Sequence, residues 1–340
     1  MGPDRDQLRD EILEEAMSLP PGDRRVFVKR ICMSDEELEA EVLRLLELHD
    51  DMQSGFLECP PASEVTEPLA DGSRLERYQI ESVIGRGGMA IVYRAKDTIA
   101  ARLVALKLIS TSFLDQREVQ RRFLIELGTM QRVHHENIVS VYDSGEHEGQ
   151  PFIVMELLNG EDLGRAIKSG NCGGIAARVK IARQIAAALS HVHAAGILHR
   201  DVKPSNVFLE DSGLVKLMDF GVSRLLEPGV SHGSTFAGTL QYMAPERVSG
   251  APATRATDIY SFGVLLYELF AGSTAAASMA ALLEEGIGGS ISVEALESAG
   301  LPSAIIQIII DATSKDPAAR PSSCAKLETQ LAVVSAGSAR

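Results

Sequence analysis

The chain carries, at residues 199–206, the stretch His199-Arg200-Asp201-Val202-Lys203-Pro204-Ser205-Asn206. A carboxylate, an ammonium and an amide side chain therefore stand at fixed spacing in one short segment. We interpret it as a phosphoryl-transfer loop, in which Asp201 accepts the proton of an attacking hydroxyl, Lys203 neutralises the moving phosphoryl group and Asn206 holds a magnesium ion. An aspartate in a polar loop is more often a turn former or a helix cap. The interpretation therefore depends on the motifs around it.

A glycine-rich stretch lies far upstream and reads Gly85-Arg86-Gly87-Gly88-Met89-Ala90-Ile91-Val92. Small residues let backbone amides come close to phosphates, although such a stretch taken alone is more often a hairpin turn. The next apolar strand, Val104 to Ile109, is interrupted by Lys107. A buried lysine costs free energy unless its charge is paired. Lys107 therefore predicts a nearby carboxylate and a ligand phosphate.

The partner that we predict for Lys107 is Glu126. The segment from Gln120 to Val133 carries apolar residues three or four positions apart, as on one face of a helix, and Glu126 lies beside that face. A solvated surface glutamate is the alternative that the spacing leaves open.

Two further apolar strands end in residues suited to ligand binding. Pro151 to Leu158 leads into the extended segment Asn159-Gly160-Glu161-Asp162. Leu214 to Met218 ends in Asp219-Phe220-Gly221, which places an acid at the end of a strand and before a flexible glycine. We predict that Asp219 chelates magnesium.

These motifs, in this order over roughly residues 78 to 333, resemble those of the eukaryotic-type (Hanks-type) serine/threonine protein kinase family in its bacterial form. The resemblance implies an α+β, two-lobed protein kinase fold, preceded here by a small α-helical leader. The small lobe would be an antiparallel β-sheet with one regulatory helix, and the larger lobe would be mainly α-helical. Ala90 stands where the family has a third glycine, a difference of one methyl group.

The implied activity is transfer of the γ-phosphoryl group of Mg-ATP to serine or threonine hydroxyls of proteins, this chain included, with Mn²⁺ as an alternative ion. Asp201 and Lys203 are the implied catalytic residues, and Asn206 and Asp219 are the implied metal ligands. Met155 would guard the back of the adenine pocket. The end of its strand and the segment 159–162 would be the hinge, in which backbone groups of Glu156 and Leu158 bind the adenine edge. The full set of implied nucleotide-binding residues is Ile84, Gly85, Arg86, Gly87, Gly88, Met89, Ala90, Val92, Ala105, Lys107, Glu126, Met155, Glu156 and Leu158.

Residues 222 to 243 resemble an activation segment that ends at Ala244-Pro245-Glu246. The family's substrate-side anchor matches Thr239, which together with Lys203 favours serine/threonine specificity over tyrosine specificity. The candidate phosphosites are Thr235, Ser234 and Thr239. A phosphate there would pair with Arg200 and order the segment. The alternative is a flexible solvated loop that is rich in hydroxyls by composition.

Two more matches concern the framework of the large lobe. Asp258 would brace the backbone of the 199–206 loop from the start of a buried helix. Arg320 would form a partly buried ion pair with Glu246, and the loss of either partner would impair folding.

Composition agrees with a two-lobed domain plus a small extra element, because 340 residues of 45% hydrophobic content can enclose a large core. The four cysteines are scattered, which favours a reducing compartment. No run reaches the ~20 apolar residues of a membrane span. We therefore expect a cytoplasmic protein.

The predicted organisation is an acidic α-helical leader at 1–58, a linker at 59–77, the kinase domain at 78–333 and a tail at 334–340. The first 77 residues hold 20 acidic and 9 basic side chains, or about −11 of the net −14. Apolar spacing predicts helices over Asp6–Leu19 and Asp35–His49, with Ser34 and Glu37 as a capping box, and a middle helix over Arg24–Ile31.

The leader is either a helical cap packed on the kinase domain or a module for a homodimer or a partner protein. Its acidic faces exclude nucleic acid and anionic membranes.

Two rival functions remain for the whole chain. One is a pseudokinase scaffold that binds nucleotide and signals through the acidic helices, against which the full set of catalytic residues argues. The other is a small-molecule kinase of the same fold, which the activation segment disfavours.

Overall fold

The computed structural model describes the protein at residues 12, 16, 21–32, 35, 38, 42–43, 68–87, 90–109, 131, 133–219, 241–248, 250–272 and 293–337. The described residues at 12–43 and those at 68–337 belong to two separate compact units. Each unit is described by itself.

The leader builds a small apolar core of its own. Its middle helix, α1 (Pro21–Cys32), starts at a proline, whose fixed φ and missing N–H suit a first turn. This confirms the predicted middle helix. The carboxylate of Asp35 accepts a hydrogen bond from the amide of Leu38 at 3.0 Å, as a helix N-cap does. The N-cap is therefore Asp35, one residue after the predicted Ser34. Ser34 itself lies outside the described residues. The buried side chains are those of Ile12, Ala16, Phe27, Val28, Cys32, Leu38 and Val42.

The small lobe of the second unit is a six-stranded antiparallel sheet in the order β1-β2-β3-β4-β6-β5. Alternate side chains of its central strands enter one core, which includes Tyr78, Tyr93, Leu106 and Phe152. Such alternation is what a sheet with one buried face requires. The strands are β1 (Arg74–Leu75), β2 (Tyr78–Arg86), β3 (Ala90–Asp97), β4 (Arg102–Ile109), β5 (Val141–His147) and β6 (Gln150–Glu156).

The large lobe is mainly helical and carries a three-stranded sheet close to the small lobe. Its central helix, α5 (Arg255–Ala271), is buried almost all round, as expected for an apolar helix inside a core. The strands are β7 (Gly160–Asp162), β8 (Val207–Glu210) and β9 (Val215–Leu217). The helices are α2 (Leu163–Ser169), α3 (Ile175–Ala194), α4 (Pro245–Val248), α5 (Arg255–Ala271), α6 (Val293–Ser298), α7 (Ser303–Ala312) and α8 (Cys324–Gly337).

This architecture confirms the predicted two-lobed fold of an antiparallel sheet followed by a helical lobe. The predicted regulatory helix, Gln120 to Val133, lies almost entirely outside the described residues. Within the described ranges, no helix has the length and apolar character needed to cross a bilayer. The described cysteines, Cys32, Cys172 and Cys324, are buried free thiols.

The predicted ion pair between Arg320 and Glu246 is confirmed. The Arg320 side chain is fully buried, and two of its N–H groups reach the Glu246 carboxylate at 2.6 and 2.8 Å. The other three N–H groups donate to the carbonyls of Ser314, Lys315 and Ala256. All five guanidinium donors are therefore satisfied. The pair ties α4, at the end of the activation segment, to the loop before α8.

We expect Arg320→Ala to lower the free energy of unfolding by about 3 to 5 kcal/mol, because it leaves the Glu246 carboxylate and three carbonyls without their donor. Urea unfolding followed by circular dichroism measures the change. The control is Lys315→Ala, an exposed side chain in the same loop, for which we expect less than about 0.5 kcal/mol. Equal unfolding midpoints for Arg320→Ala and the wild type would contradict the pairing as a stability element.

The same pair predicts a pH dependence. Burial raises the pKa of Glu246, but the hydrogen bonds and charge of Arg320 outweigh burial and hold it below its usual value. The stabilisation is therefore fully present above the ordinary glutamate pKa of about 4.3 and is lost as the pH falls through the lower folded value. We expect the stability difference between wild type and Glu246→Gln to shrink from pH 6 toward pH 3. A difference that stays constant over this range would show that the charge of Glu246 contributes nothing.

Candidate active site

The two carboxylate oxygens of Asp201 differ in their surroundings. Its Oδ2 accepts hydrogen bonds from Lys203 Nζ at 3.0 Å and from Asn206 Nδ2 at 2.8 Å. The amide nitrogen of Asn206 also donates to the Asp201 carbonyl at 2.8 Å. Asp201 Oδ1 is buried and has no hydrogen-bond partner among the described residues. The loop therefore fixes the Asp201 carboxylate through Oδ2 and leaves Oδ1 as an acceptor without a donor from the described residues. The Asn206 side-chain oxygen is left for another ligand.

The loop is braced from helix α5, as predicted. The Asp258 carboxylate accepts the main-chain amides of His199 and Arg200, each at 2.8 Å. It also contacts His193 Nε2 at 2.7 Å, and its own exposure is 1%. Arg200 adopts a left-handed φ of +68°, a conformation that costs free energy for any residue except glycine. The two bonds from Asp258 hold the loop in that shape.

His199 links the loop to the strand that leads to Asp219. Its Nδ1 accepts the Asp201 amide at 3.3 Å, and its Nε2 donates to the Met218 carbonyl at 2.9 Å. Burial lowers the pKa of His199, which agrees with a neutral ring protonated on Nε2. The Met218 amide in turn donates to the Asn206 carbonyl at 2.8 Å. The two segments that carry the candidate metal ligands are therefore locked together.

Lys107 meets Asp219 across the lobes, with Nζ at 2.5 Å from Oδ1. The lysine side chain is 13% exposed and the aspartate 31%. Burial raises the pKa of Asp219, but the charge and hydrogen bond of Lys107 outweigh burial, so the pKa lies below its usual value. Asp219 has a left-handed φ of +59°. The structure thus gives Lys107 the carboxylate that its buried position requires.

The described glycines of the hairpin between β2 and β3 are not required by the packing of the chain. The Gly87 amide donates to the Ala90 carbonyl at 3.0 Å. Neither Gly85 nor Gly87 has a positive φ, and a Cβ would meet the chain only at 3.6 and 3.9 Å. The described chain itself therefore does not demand glycine at these positions.

The strands below the hairpin bring the other predicted nucleotide residues together. Val92 stands opposite Lys107, and Ala105 stands opposite Met155. Ile84 falls at an irregularity in the β2–β3 register and is 49% exposed. Irregularities of this kind re-aim a side chain beside a site. Arg86 and Ala90 end and begin the two hairpin strands.

At the hinge, the Glu156 amide donates to the Ser140 carbonyl at 3.0 Å. Among the described residues, none hydrogen-bonds to the main chain of Leu158. The Asn206 side-chain oxygen and the Asp219 carboxylate are oxygen ligands of the type that Mg²⁺ prefers. The residues present therefore fit a nucleotide bound together with a divalent cation.

Some predicted site residues cannot be placed, because they lie outside the described residues. They are Gly88, Met89, Glu126, Ser234, Thr235 and Thr239.

Sequence reasoning missed Lys216 in β9, whose ammonium lies 2.8 Å from Glu156 Oε1. A weak signal was present, because Lys216 interrupts an apolar strand as Lys107 does.

Most of the chain is similar to known proteins. Residues 78–331 match the family model described as protein kinase domain. The chain is 36% identical over 265 residues to a probable serine/threonine-protein kinase PknB of Lactococcus lactis, covering 76% of this chain and 42% of that protein. It is 34% identical over 271 residues to the serine/threonine-protein kinase PrkC of Bacillus subtilis, covering 76% and 41%. This chain therefore spans well under half the length of these relatives.

Among solved structures, the kinase domain of PknI from Mycobacterium tuberculosis superposes with a TM-score of 0.63 at 27% identity. The alignment covers 79% of this chain and all of that domain. None of these similarities supports the scaffold alternative.

We expect Lys107→Met to bind Mn²⁺ about tenfold more tightly than the wild type in the absence of nucleotide. The lysine charge competes with a cation for Asp219, and the competition disappears with it. Electron paramagnetic resonance of free Mn²⁺ measures the affinity without any turnover. Asp219→Asn should abolish this binding, and Lys180→Met, an exposed lysine of α3, should leave it unchanged. Weaker Mn²⁺ binding by Lys107→Met would show that the two groups do not compete.

Proposed function

Because the chain belongs to the protein kinase family, we propose that it transfers the γ-phosphoryl group of Mg-ATP to serine and threonine hydroxyls of proteins. The observation that carries the proposal is the Asp201 carboxylate. One of its oxygens is fixed by Lys203 and Asn206, and the other is buried without a partner among the described residues. A carboxylate so arranged is ready to accept a proton from a hydroxyl.

In the proposed reaction the substrate hydroxyl oxygen attacks the γ-phosphorus, and the bond from that phosphorus to the bridging oxygen of ADP breaks. The hydroxyl proton passes to Asp201 Oδ1. Lys203, beside the same carboxylate, carries positive charge to the transferring group. Bound magnesium, held by Asn206 and Asp219, would neutralise charge that develops on the phosphates.

The choice of serine and threonine rests on Lys203 and on the resemblance of Thr239 to the family's anchor. We propose that the chain phosphorylates its own activation segment, with Thr235 or Ser234 as acceptor. A phosphate there adds about −1.5 to −2 charge near pH 7. Pairing with the Arg200 guanidinium would then stabilise the loop that carries Asp201.

The acidic leader is proposed to bind a protein, either a second copy or a partner. Support comes from its separate apolar core, which indicates a module with a fold of its own. The scattered cysteines favour the cytoplasm as its location.

The test is incubation of the purified chain with Mg²⁺ and γ-labelled ATP, with and without a generic basic protein substrate. We expect Asp201→Asn to reduce phosphate transfer by about 10² to 10⁴-fold, because the base is removed. Mass spectrometry locates the label, expected on Ser234 or Thr235. Asp211→Asn, an exposed acid in the β8–β9 turn, is the matched control and should transfer phosphate like the wild type.

Nucleotide affinity of Asp201→Asn is measured in parallel and should change by less than about threefold, because Asp201 acts on the hydroxyl. ATP binding by the wild type without any label on either protein would overturn the proposal and favour a scaffold.

A further inference from the structure

Residues 137 to 140 join the large lobe to the hinge by main-chain hydrogen bonds. The Leu217 amide of β9 donates to the Asn137 carbonyl at 2.9 Å, and the Val139 amide donates back to the Leu217 carbonyl at 3.0 Å. At the far end, the Glu156 amide donates to the Ser140 carbonyl at 3.0 Å. This strip therefore connects β9, the strand before Asp219, with the end of β6, where the hinge begins.

A contact between charged side chains also joins β9 directly to the end of β6. Glu156 Oε1 accepts the Ser140 amide and Lys216 Nζ, each at 2.8 Å. Lys216 is only 8% exposed. A buried lysine charge costs free energy unless a carboxylate compensates for the lost water. Lys216 and Glu156 therefore form an enclosed ion pair between the large lobe and the hinge.

Lys216 is also tied to the metal end of the site. It precedes Asp219 by three positions, and Met218 between them bonds on one side to Asn206 and on the other to His199. Any movement of β9 relative to the hinge would therefore move Asp219 and the catalytic loop together. The ion pair opposes that movement.

We infer that Lys216 is a positioning residue whose ion pair with Glu156 sets the separation between the hinge and Asp219. The inference rests on the proposed function, in which the hinge holds the base of a nucleotide and Asp219 holds its metal. A ligand that spans both ends binds well only when their separation matches its length. A ligand that occupies the hinge alone does not require the match.

The two kinds of ligand separate this role from a general loss of folding. In Lys216→Met the two bonds between Ser140 and Glu156 remain available, so the hinge keeps its local shape. Methionine also fills much of the space of the lysine stem. Adenosine, which has no phosphates, should then bind as before, whereas Mg-ADP should bind less well.

The experiment is calorimetric titration of the full chain with adenosine and with Mg-ADP. For Lys216→Met we expect the Kd of Mg-ADP to rise about tenfold and that of adenosine to change by less than about twofold. The KM for ATP should rise with that Kd, whereas kcat at saturating ATP stays within about twofold. Lys216→Arg, which keeps a charged donor, should restore most of the Mg-ADP affinity.

The matched control is Arg94→Met, which breaks an ion pair of similar length, 2.9 Å, within the small-lobe sheet. That pair is exposed and joins β2 to β3 only, so neither Kd should change. If Lys216→Met does not fold, Lys216→Gln gives the same comparison, because its neutral amide keeps a hydrogen-bond donor but removes the charge.

Equal losses of adenosine and Mg-ADP affinity, or no loss of either, would overturn the inference. Failure of the wild type to bind both ligands would overturn the proposed function and this inference with it. Selective loss of Mg-ADP affinity, together with rescue by arginine, would support the positioning role.

Discussion

The buried carboxylate of Asp258 is the interaction on which the catalytic loop depends. It sits in the most enclosed helix of the large lobe and accepts two main-chain amides, those of His199 and Arg200, besides contacting His193. A carboxylate without partners at this depth would cost several kcal/mol. The core helix is therefore stable only while the loop stays against it. Stability of the large lobe and geometry of the site are thus maintained by the same hydrogen bonds.

The site also contains two residues with unfavourable backbone conformations, which hydrogen bonds and an ion pair keep in place. Arg200 and Asp219 are non-glycine residues with left-handed φ values of +68° and +59°. Each costs on the order of 1 to 3 kcal/mol. A hydrogen bond from the Arg200 main-chain amide to the Asp258 carboxylate holds Arg200. The hydrogen bonds of Met218 and the ion pair with Lys107 hold Asp219. The carboxylates of Asp201 and Asp219 are therefore oriented before any ligand arrives.

The sequence allowed the two lobes, the loop brace and the buried arginine pair to be predicted, because each depends on residues at fixed spacing within a recognisable motif. Spacing does not reveal which of several acids reaches Lys107, since that depends on how the lobes meet. Glu126, the predicted partner, lies outside the described residues, so its pairing stays a prediction. Among the described residues, Asp219 reaches the lysine. The role of Lys216 was missed for a different reason. Its strand β9 has only three residues, all of them buried, so alternation along the strand could not indicate the burial of the lysine.

Lys107 and Lys216 form two crossed ion pairs between the lobes. The small lobe supplies Lys107 to Asp219 of the large lobe, and the large lobe supplies Lys216 to Glu156 at the hinge. The two pairs differ in what surrounds the acid. The Asp219 carboxylate is 31% exposed. A cation can therefore replace Lys107 beside Asp219, and a phosphate can replace Asp219 beside Lys107. Glu156 also accepts the Ser140 amide, and its lysine is more enclosed. Ligand binding can therefore exchange the first pair while the second keeps the lobes in register.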